Sequence, residues 1–562
     1  MASLEDRRRA LRAGYPRWSA QTIFQKFSQA AARYSDRIFF QDGQVSKTYA
    51  QTTAQVHQAA AAFGHIGVRK GERVAVSLGN CFEYLCVTFA LAKLGAVKVP
   101  INRRIPADQK CYMLKKTGAV VLVSDKDGDV DCVAQCETLQ KIILLSPSSK
   151  SEGPAMSWRN FMARITSEKN PKNAGFQVNR QRDVQASDLS DIIFTSGSTG
   201  DPKGAMLTHN MLLRSAYANC LNRGFEDGRK VMITVPLFHV YGYIEGLLSV
   251  LFVGGTLVCL PGKFDADQAL RTIQTLKVND LICVLLTMQK LLSAPSLCDY
   301  NLSTLHAVYC SASVCPKWVW DAIKNDLGVS EVITGYGMSE VSAASVQTPP
   351  EAPTAKLYHS VGKILTDHLE ACEPLIEYRV VDPDVLADLP AGEVGELICK
   401  GAIVSAGYFG DEMATKSAFT EGGWFRSGDL ARIDADGYMI FEGRLNESYK
   451  INGENVSPAF VDQIILNCKA VVRAETLGMP DEKLGWIGVA FIEPLHSAPE
   501  TKREIMAYCK KHLADYQLPK FYFFMKGNEW PKTPNGKITK KRLRALAEEK
   551  MKEKKTREIQ TK

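Results

Sequence analysis

The chain has no Cys-X-X-Cys pair, no Gly-X4-Gly-Lys-Ser/Thr phosphate loop, no internal repeat, and no long apolar run free of charge and glycine. Each absence removes a class of protein. Fifteen cysteines are scattered from Cys81 to Cys509, and Cys132 and Cys136 have no histidine cluster nearby to complete a zinc site. Unpatterned cysteines in a chain of 562 residues read as reduced thiols, which predicts a cytoplasmic protein. The start, MASLEDRRRALRAGYPRW, is basic but lacks an apolar core, and Glu5 and Asp6 do not suit a transit peptide, so no targeting segment is expected. The most apolar stretch, 243–260, contains Glu245, Gly246, Gly254 and Gly255. It therefore predicts a buried helix and strand in place of a membrane span, and leaves only peripheral membrane contact open. Charge of one sign is also scarce: 69 Lys and Arg against 61 Asp and Glu leave +8, which does not indicate nucleic-acid binding.

What is present describes a large globular protein. A hydrophobic content of 45% and a charged content of 23% are ordinary for a folded chain. The length predicts about three or four structural units, as one multi-lobed domain plus a smaller one. From 22 to 123, helical patterns alternate with short apolar runs: a strand at 73–78, a buried helix at 82–94 and a strand at 120–123. Residues 146–188 are rich in Ser, Pro, Lys, Asn and Gln and read as a surface excursion. Alternation resumes from 231 to 336, with a strand at 231–235 and helices at 265–276 and 288–293. The character then turns β-rich over 377–443, with strands at 377–381, 395–400 and 438–442, which predicts a β-lobe or barrel. A helix at 458–466, further alternation and a charged terminal helix with a frayed tail complete the reading.

Residues 194–209 read FTSGSTGDPKGAMLTH. Gly197, Gly200 and Gly204 permit close backbone approach, Ser196, Ser198 and Thr199 offer hydroxyls, and Lys203 supplies a cation, a composition suited to gripping oligophosphate oxygens. The spacing is not that of the common P-loop: Pro202 stands five residues after Gly197 and Ala205 five after Gly200. A flexible Ser/Gly surface loop is the plain alternative.

Five more segments carry chemistry-bearing residues. PLFHVYG (236–242) follows a strand and sets His239 and Tyr241 at a sheet mouth, where α/β proteins bind ligands, although a single His is commonly structural. ITGYGMSE (333–340) offers an aromatic that would stack on a base and a carboxylate, Glu340, that would bind Mg2+. In WFRSGD (424–429), Asp429 comes after a turn, a geometry suited to two ribose hydroxyls and equally to any surface Asp-turn. GRLNESYKING (443–453) is a polar joint at the lobe boundary, readable also as a connecting loop, and PNGK (534–537) puts Lys537 beside a tight turn.

Taken together and in order, TSGSTGDPKG, PLFHVYG, TGYGMSE, GWFRSGDL, GRLNESYKINGENVSP and PKTPNGK resemble the adenylate-forming superfamily, and within it the acyl-CoA synthetases of fatty-acyl and 4-coumarate type. The resemblance spans nearly the whole chain. It implies an α/β fold: a large N-terminal domain of two sheets with flanking helices and a distorted β-barrel, residues 1–444 with the β-rich lobe at about 377–443. A small mobile α+β domain would follow, 445–562, hinged near Asn446. It implies ATP, Mg2+ and CoA as cofactor and co-substrates and a small carboxylic acid as substrate.

By the same resemblance, residues 195–203, with Thr195 and Lys203, would hold the β,γ-phosphates. Ser311, Ala312, Ser313, Gly335, Tyr336 and Gly337 would line the adenine and acyl pockets, and Ser339 and Glu340 would bind phosphate and Mg2+. Asp429 would take the ribose hydroxyls, helped by Arg444. Lys537 would bridge the acyl carboxylate and the α-phosphate, and the segment 446–453, with Lys450 and Gly453, would line the pantetheine tunnel after domain rotation. The acid itself would contact His239, Tyr241, Gly242, Ser311, Gly335, Gly337, Val341 and Ser342, with Lys537, Lys203, His239 and Glu340 forming the catalytic set. Two departures from the family pattern stand out: Ser311-Ala312-Ser313-Val314 replaces Gly-Gly-Ala-Pro, and Asn446 replaces Lys or Asp at the hinge. His239, where amino-acid-adenylating domains carry Asp, favours acyl-CoA formation, and a medium-chain or aryl acid is the expected substrate. A stand-alone enzyme that loads a carrier protein, and a non-catalytic nucleotide-binding relative, are the alternatives.

Overall fold

The computed structural model describes residues 2–131, 135–146, 155–163, 184–195, 201–312, 315–369, 373–451, 454–481, 485–496, 498–532 and 538–560. Two seven-stranded sheets dominate it. The first runs Glu331–Ile333, Ala307–Ser311, Asp280–Val284, Lys230–Ile233, Thr256–Cys259 and Ile38–Gln41 in parallel, closed by the antiparallel edge Ser46–Thr48. The second runs Ala155–Ser157, Lys141–Leu144, Val121–Ser124, Arg73–Ser77, Val97–Pro100 and Leu189–Thr195 in parallel, closed by antiparallel Lys203–Thr208.

Parallel sheets need cover on both faces, and the sequence supplies it. Helix Phe82–Leu94 is apolar apart from Glu83 and Lys93 near its ends, so it is buried over most of its surface, in one core with helices Ile23–Arg33, Tyr49–His65 and His209–Arg223 between the two sheets. It stops at Gly95, whose φ of 68° is the left-handed cap a side chain would resist. Helices Ala266–Leu276, Leu285–Leu292 and Lys317–Asn325 cover the outer face of the first sheet, and Ala107–Thr117 that of the second.

The β-lobe is a four-stranded antiparallel sheet, Glu377–Val381, Gly395–Lys400, Phe425–Ile433 and Met439–Arg444. It shares a core with the three-stranded sheet Gly335–Met338, Ala343–Gln347 and Lys363–Ile364. The C-terminal domain has its own three-stranded sheet, Val471–Asp481, Gly485–Pro494 and Phe521–Phe524. Helices Pro458–Leu466 and Pro499–His512 cover one face and helix Lys540–Gln560 the other, so this domain has two small cores of its own.

Several sequence expectations change. Part of 146–188 is not a surface excursion: Ala155–Ser157 adds the last strand to the second sheet and Trp158–Ala163 is a helix, while 147–154 and 164–183 lie outside the described residues. The apolar stretch at 243–260 is a π-helical turn, Tyr243–Leu248, a 3-10 turn, Ser249–Phe252, and strand Thr256–Cys259. Among the described residues no helix is long and apolar enough to cross a membrane. The helix expected at 288–293 spans Leu285–Leu292, because it begins directly on leaving strand Asp280–Val284.

Candidate active site

The strand Leu189–Thr195 and the strand Lys203–Thr208 pair antiparallel with Thr195 opposite Lys203. The phosphate-type segment thus joins two neighbouring strands at the sheet edge, and Lys203 opens a strand instead of closing a loop. Ser196, Gly197, Ser198, Thr199 and Gly200 lie outside the described residues. Gly204 has no room for a side chain, since an added Cβ would come within 2.6 Å of the Ile192 side chain.

Glu340 sits on the 3-10 turn Ser339–Val341 that follows strand Gly335–Met338. The next two residues, Ser342 and Ala343, have φ of 57° and 86°, an unusual left-handed pair for residues with side chains. The turn is fixed from outside: the Ser405 N–H donates to the Glu340 carbonyl at 2.7 Å and Ser342 Oγ donates to the Ile403 carbonyl at 2.9 Å. Glu340 Oε1 accepts from the Tyr408 hydroxyl at 2.9 Å and from Thr195 Oγ1 at 3.4 Å, and Oε2 has no hydrogen-bond partner among the described residues. The Lys203 ammonium lies 5.2 Å from the centre of the Tyr408 ring. One buried carboxylate with an uncommitted oxygen is the donor set Mg2+ takes when substrate phosphates and water complete its shell, so the residues present fit that ion. Among the described residues no cluster of three or more acidic, His or Cys side chains forms a protein-only cage.

The second carboxylate is Asp429. It does not follow a turn, as the sequence suggested, but lies inside strand Phe425–Ile433, directly opposite Arg444 on strand Met439–Arg444. Gly428, at φ 67°, supplies the local kink that reads as a turn in sequence. Asp429 Oδ1 is 2.8 Å from Arg444 Nε, and Oδ2 accepts from the Tyr336 hydroxyl at 2.6 Å. Burial raises the Asp429 pKa; Arg444 and Tyr336 oppose that rise, and the Glu340 charge adds to it, so the two carboxylates share one field. Tyr336 is packed against Phe441 and Tyr378, which fixes its hydroxyl on the carboxylate.

The remaining expected residues divide into two groups. Ser311 Oγ donates to the Gly335 carbonyl at 2.6 Å, and Ala312 holds a left-handed φ of 74°; Ser313 lies outside the described residues. At Gly337 a Cβ would fall 1.9 Å from the Ala343 carbonyl oxygen, so only glycine lets the strand pair close. His239 Nδ1 accepts the Tyr241 N–H at 3.2 Å, which places the ring proton on Nε2. Gly242 packs on Pro236, whose carbonyl oxygen would be 2.5 Å from a Cβ.

Tyr241 has a packing role: its hydroxyl sits between the carbonyls of Tyr309 and Cys283, at 2.8 and 3.1 Å. Val341 and Ser342 are fully buried and show no surface to a pocket in this structure. Lys450 is exposed on strand Tyr449–Ile451, whereas Gly453 and Lys537 lie outside the described residues.

Two groups escaped the sequence reading. Tyr408 binds Glu340 from 68 residues away; its only sequence signal is an aromatic after a glycine in SAGYFG. Glu245, on the π-helical turn, is fully buried behind strand Ala343–Gln347 and accepts from the Ala344 N–H at 3.0 Å and Gln347 Nε2 at 3.1 Å. Burial pushes its carboxyl up to about 7.

The AMP-binding enzyme family model matches residues 27–409, and that of the AMP-binding enzyme C-terminal domain matches 461–537. The chain belongs to the AMP-binding enzyme family. Its relatives carry acyl-CoA ligase names, which bears out the resemblance read from the motifs. The mitochondrial medium-chain acyl-CoA ligase ACSF2 of Danio rerio is 28% identical, over 95% of this chain and 89% of the relative. The 2-succinylbenzoate–CoA ligase of Bacillus cereus (strain ATCC 10987 / NRS 248) is 28% identical, over 93% and 98%. The crystal structure of the anthranilate CoA ligase AuaEII in complex with anthranoyl-AMP superimposes with a TM-score of 0.83 at 22% identity, covering 97% of this chain and 99% of that one, and it shows the fold is shared.

Proposed function

We propose that the protein is an ATP- and Mg2+-dependent acyl-CoA synthetase that activates a medium-chain or aryl carboxylic acid as acyl-AMP and transfers the acyl group to CoA. The observation that carries this reading is the pair of buried carboxylates, Asp429 and Glu340, each held by a tyrosine hydroxyl, with Arg444 on Asp429 and Lys203 over the ring of the tyrosine that holds Glu340. Asp429 offers fixed acceptors for a vicinal diol. Glu340 and Lys203 present opposite charges for an oligophosphate and its metal.

A carboxylate is a poor electrophile, and bringing it onto the α-phosphorus joins two anions. The work of the site is therefore charge neutralisation and alignment. Lys203 is assigned to the departing pyrophosphate, Lys537 to the reacting carboxylate, and His239 to the acid. Bound at Glu340, Mg2+ would neutralise charge on the phosphates.

We place the domain boundary between residues 444 and 445, with rotation at Asn446. Arg444 ends the last strand of the β-lobe, and 445–448 forms a turn before the next strand. The Lys540 ammonium, 2.6 Å from the Glu447 carboxylate, ties that turn to the start of helix Lys540–Gln560, three residues beyond Lys537. After rotation the segment with Lys450 and Gly453 would face the thiol substrate. Free thiols at every described cysteine fit a reducing, cytoplasmic setting.

The test is pyrophosphate release across fatty, aryl and alicyclic acids, with and without CoA. Acid-dependent release followed by an acyl-CoA thioester is the expected result. Release with no thioester on adding CoA would favour a carrier protein as acceptor, and nucleotide binding without release from any acid would reduce the protein to a non-catalytic relative.

A further inference from the structure

The segment that leads to His239 is held by the sheet it does not belong to. Strand Lys230–Ile233 is part of the first sheet, and its pairing ends where the Thr234 N–H donates to the Ile282 carbonyl at 3.0 Å. Beyond that point, side chains that follow a strand of the second sheet take over the backbone. Asn80 Nδ2 donates to the Val235 carbonyl at 2.9 Å, and Asn80 Oδ1 accepts the Leu237 N–H at 2.8 Å. The Tyr84 hydroxyl donates to the Leu237 carbonyl at 2.9 Å. Val235 and Leu237 are 4% and 1% exposed, so their polar backbone groups have little access to water and depend on these bonds.

Asn80 is itself fixed. It stands between strand Arg73–Ser77 and helix Phe82–Leu94, and beside it the Gly79 N–H donates to Asp125 Oδ2 at 3.1 Å, on a carboxylate 2.8 Å from Arg103 Nη1. On the far side of the tie, the His239 N–H donates to the Pro236 carbonyl at 3.2 Å and the Tyr243 N–H to the His239 carbonyl at 3.0 Å, so the turn that carries His239 starts from the bracketed residues. A second link lies deeper. Lys98 is the register partner of Asp191 on strand Leu189–Thr195, and its ammonium is 3.2 Å from Asp191 Oδ1 and 3.4 Å from the centre of the Tyr243 ring. The His239 turn is therefore tied to the sheet that carries Thr195 and Lys203 as well as to its own.

An acid and a nucleotide held on different sheets react only when the two sheets keep them in line. We propose that Asn80, with Tyr84, is a positioning residue for acid activation: it brackets residues 235–237 so that His239 presents the acid at a fixed distance from phosphates gripped by the second sheet. This rests on the assignment of His239 to the acid and Lys203 to the phosphates under the proposed function. Asn80 and Tyr84 act through the backbone before His239, not on the reacting atoms.

The test compares matched variants of the full-length protein. A misplacement of about 1 Å in a positioned site costs on the order of 100-fold, so Asn80→Ala should lower kcat for acid-dependent pyrophosphate release by about that factor. The KM for ATP should stay at the wild-type value, because Asp429 and Lys203 are untouched. Tyr84→Phe loses one bond of the three and should lose less of kcat, which keeps the test open if Asn80→Ala folds poorly. The control is Tyr49→Phe: Tyr49 is as buried as Tyr84, and its hydroxyl donates to the Gly255 carbonyl at 2.9 Å, elsewhere against the first sheet. It should lower the unfolding temperature and leave kcat unchanged. Once His239 is replaced by Ala, adding Asn80→Ala should cost nothing further, since a residue that works through His239 has nothing left to position.

A readout without turnover is the His239 ring signal in a spectrum of histidine-labelled protein, identified by its loss in His239→Ala. It should shift in Asn80→Ala and Tyr84→Phe and stay in place in Tyr49→Phe. An unmoved His239 signal, a kcat loss no larger than that of Tyr49→Phe, or losses that add in full with His239→Ala would each overturn the proposal. If the wild-type protein releases pyrophosphate with no acid, that failure falls on the proposed function, and the ring signal still decides whether Asn80 positions His239.

Discussion

Asp429 and Arg444 face each other across two antiparallel strands of the β-lobe, carboxylate Oδ1 2.8 Å from guanidinium Nε, the acid 2% exposed at its side chain and the base 49%. The pair joins a buried anion to a cation that reaches solvent. Arg444 is also the last residue of its strand before the proposed hinge, so the ribose-binding assignment and the domain boundary meet in one side chain.

Asp429→Asn keeps the shape and removes the charge that two ribose hydroxyls would address. Hydrogen bonds to charged groups are worth about 1.5–3 kcal/mol, so the KM for ATP should rise by roughly 10- to 150-fold. Pyrophosphate release as a function of ATP concentration measures it; an unchanged KM would remove Asp429 from the nucleotide site.

Tyr408→Phe keeps the ring beside Lys203 and deletes only the hydroxyl on Glu340. Groups that orient a metal-binding carboxylate are typically worth about 10–100-fold in metal affinity. The Mg2+ concentration giving half-maximal pyrophosphate release at saturating ATP should therefore rise by at least about tenfold. If the Mg2+ curve of the variant overlays the wild type, Glu340 does not bind the metal through this arrangement.

Glu245 gives a pH signature in stability. Burial raises its carboxyl from the ordinary 4.5 to about 7, with Arg223, Cys220, Tyr241 and Tyr309 among its charged and titratable neighbours and Gln347 and the Ala344 N–H as hydrogen-bond partners. Between those two values the folded protein holds a proton that the unfolded chain has released. Stability from this group is thus fully present below pH 4.5 and falls as pH rises towards about 7. Glu245→Gln, with the Gln347 amide turned to receive it, should flatten that slope and stabilise the protein above pH 7 by on the order of 1–3 kcal/mol. Denaturant titrations at a series of pH values decide it, and an unchanged slope would count against a protonated Glu245.

Lys537→Ala separates the half-reactions. Adenylation should fall on the order of 10²–10³-fold, because a charge that meets the reacting groups is lost. Thioester formation from supplied acyl-adenylate should stay within about threefold of wild type, since a rotated domain no longer uses this lysine. Equal losses in both steps would contradict rotation about Asn446.

How much of this was legible in the sequence depended on range. Helix Phe82–Leu94 and helix Pro458–Leu466 announce themselves through unbroken apolar faces and local stop or start signals, Gly95 and the Ser457 cap. Strands Glu377–Val381 and Gly395–Lys400 are bounded by turn residues. The motifs marked Lys203, Glu340, Asp429 and Arg444, but not their relations. That Asp429 is mid-strand follows from pairing with Arg444, that Tyr408 serves Glu340 follows from packing of the β-lobe on the turn at 339–341, and that Glu245 is a buried acid follows from strand Ala343–Gln347 crossing it. Val341 and Ser342, expected at the acid pocket, are buried in the core in this structure.

The pairing of Thr195 with Lys203 bears on how this protein can be re-engineered. A ladder holds the backbone of both residues, so the segment between them starts and ends at fixed attachment points. Libraries that vary residues 196–202 in sequence or length can explore the choice of phosphate donor without relocating the lysine, whereas a single residue added inside either strand would turn its side chain to the opposite face.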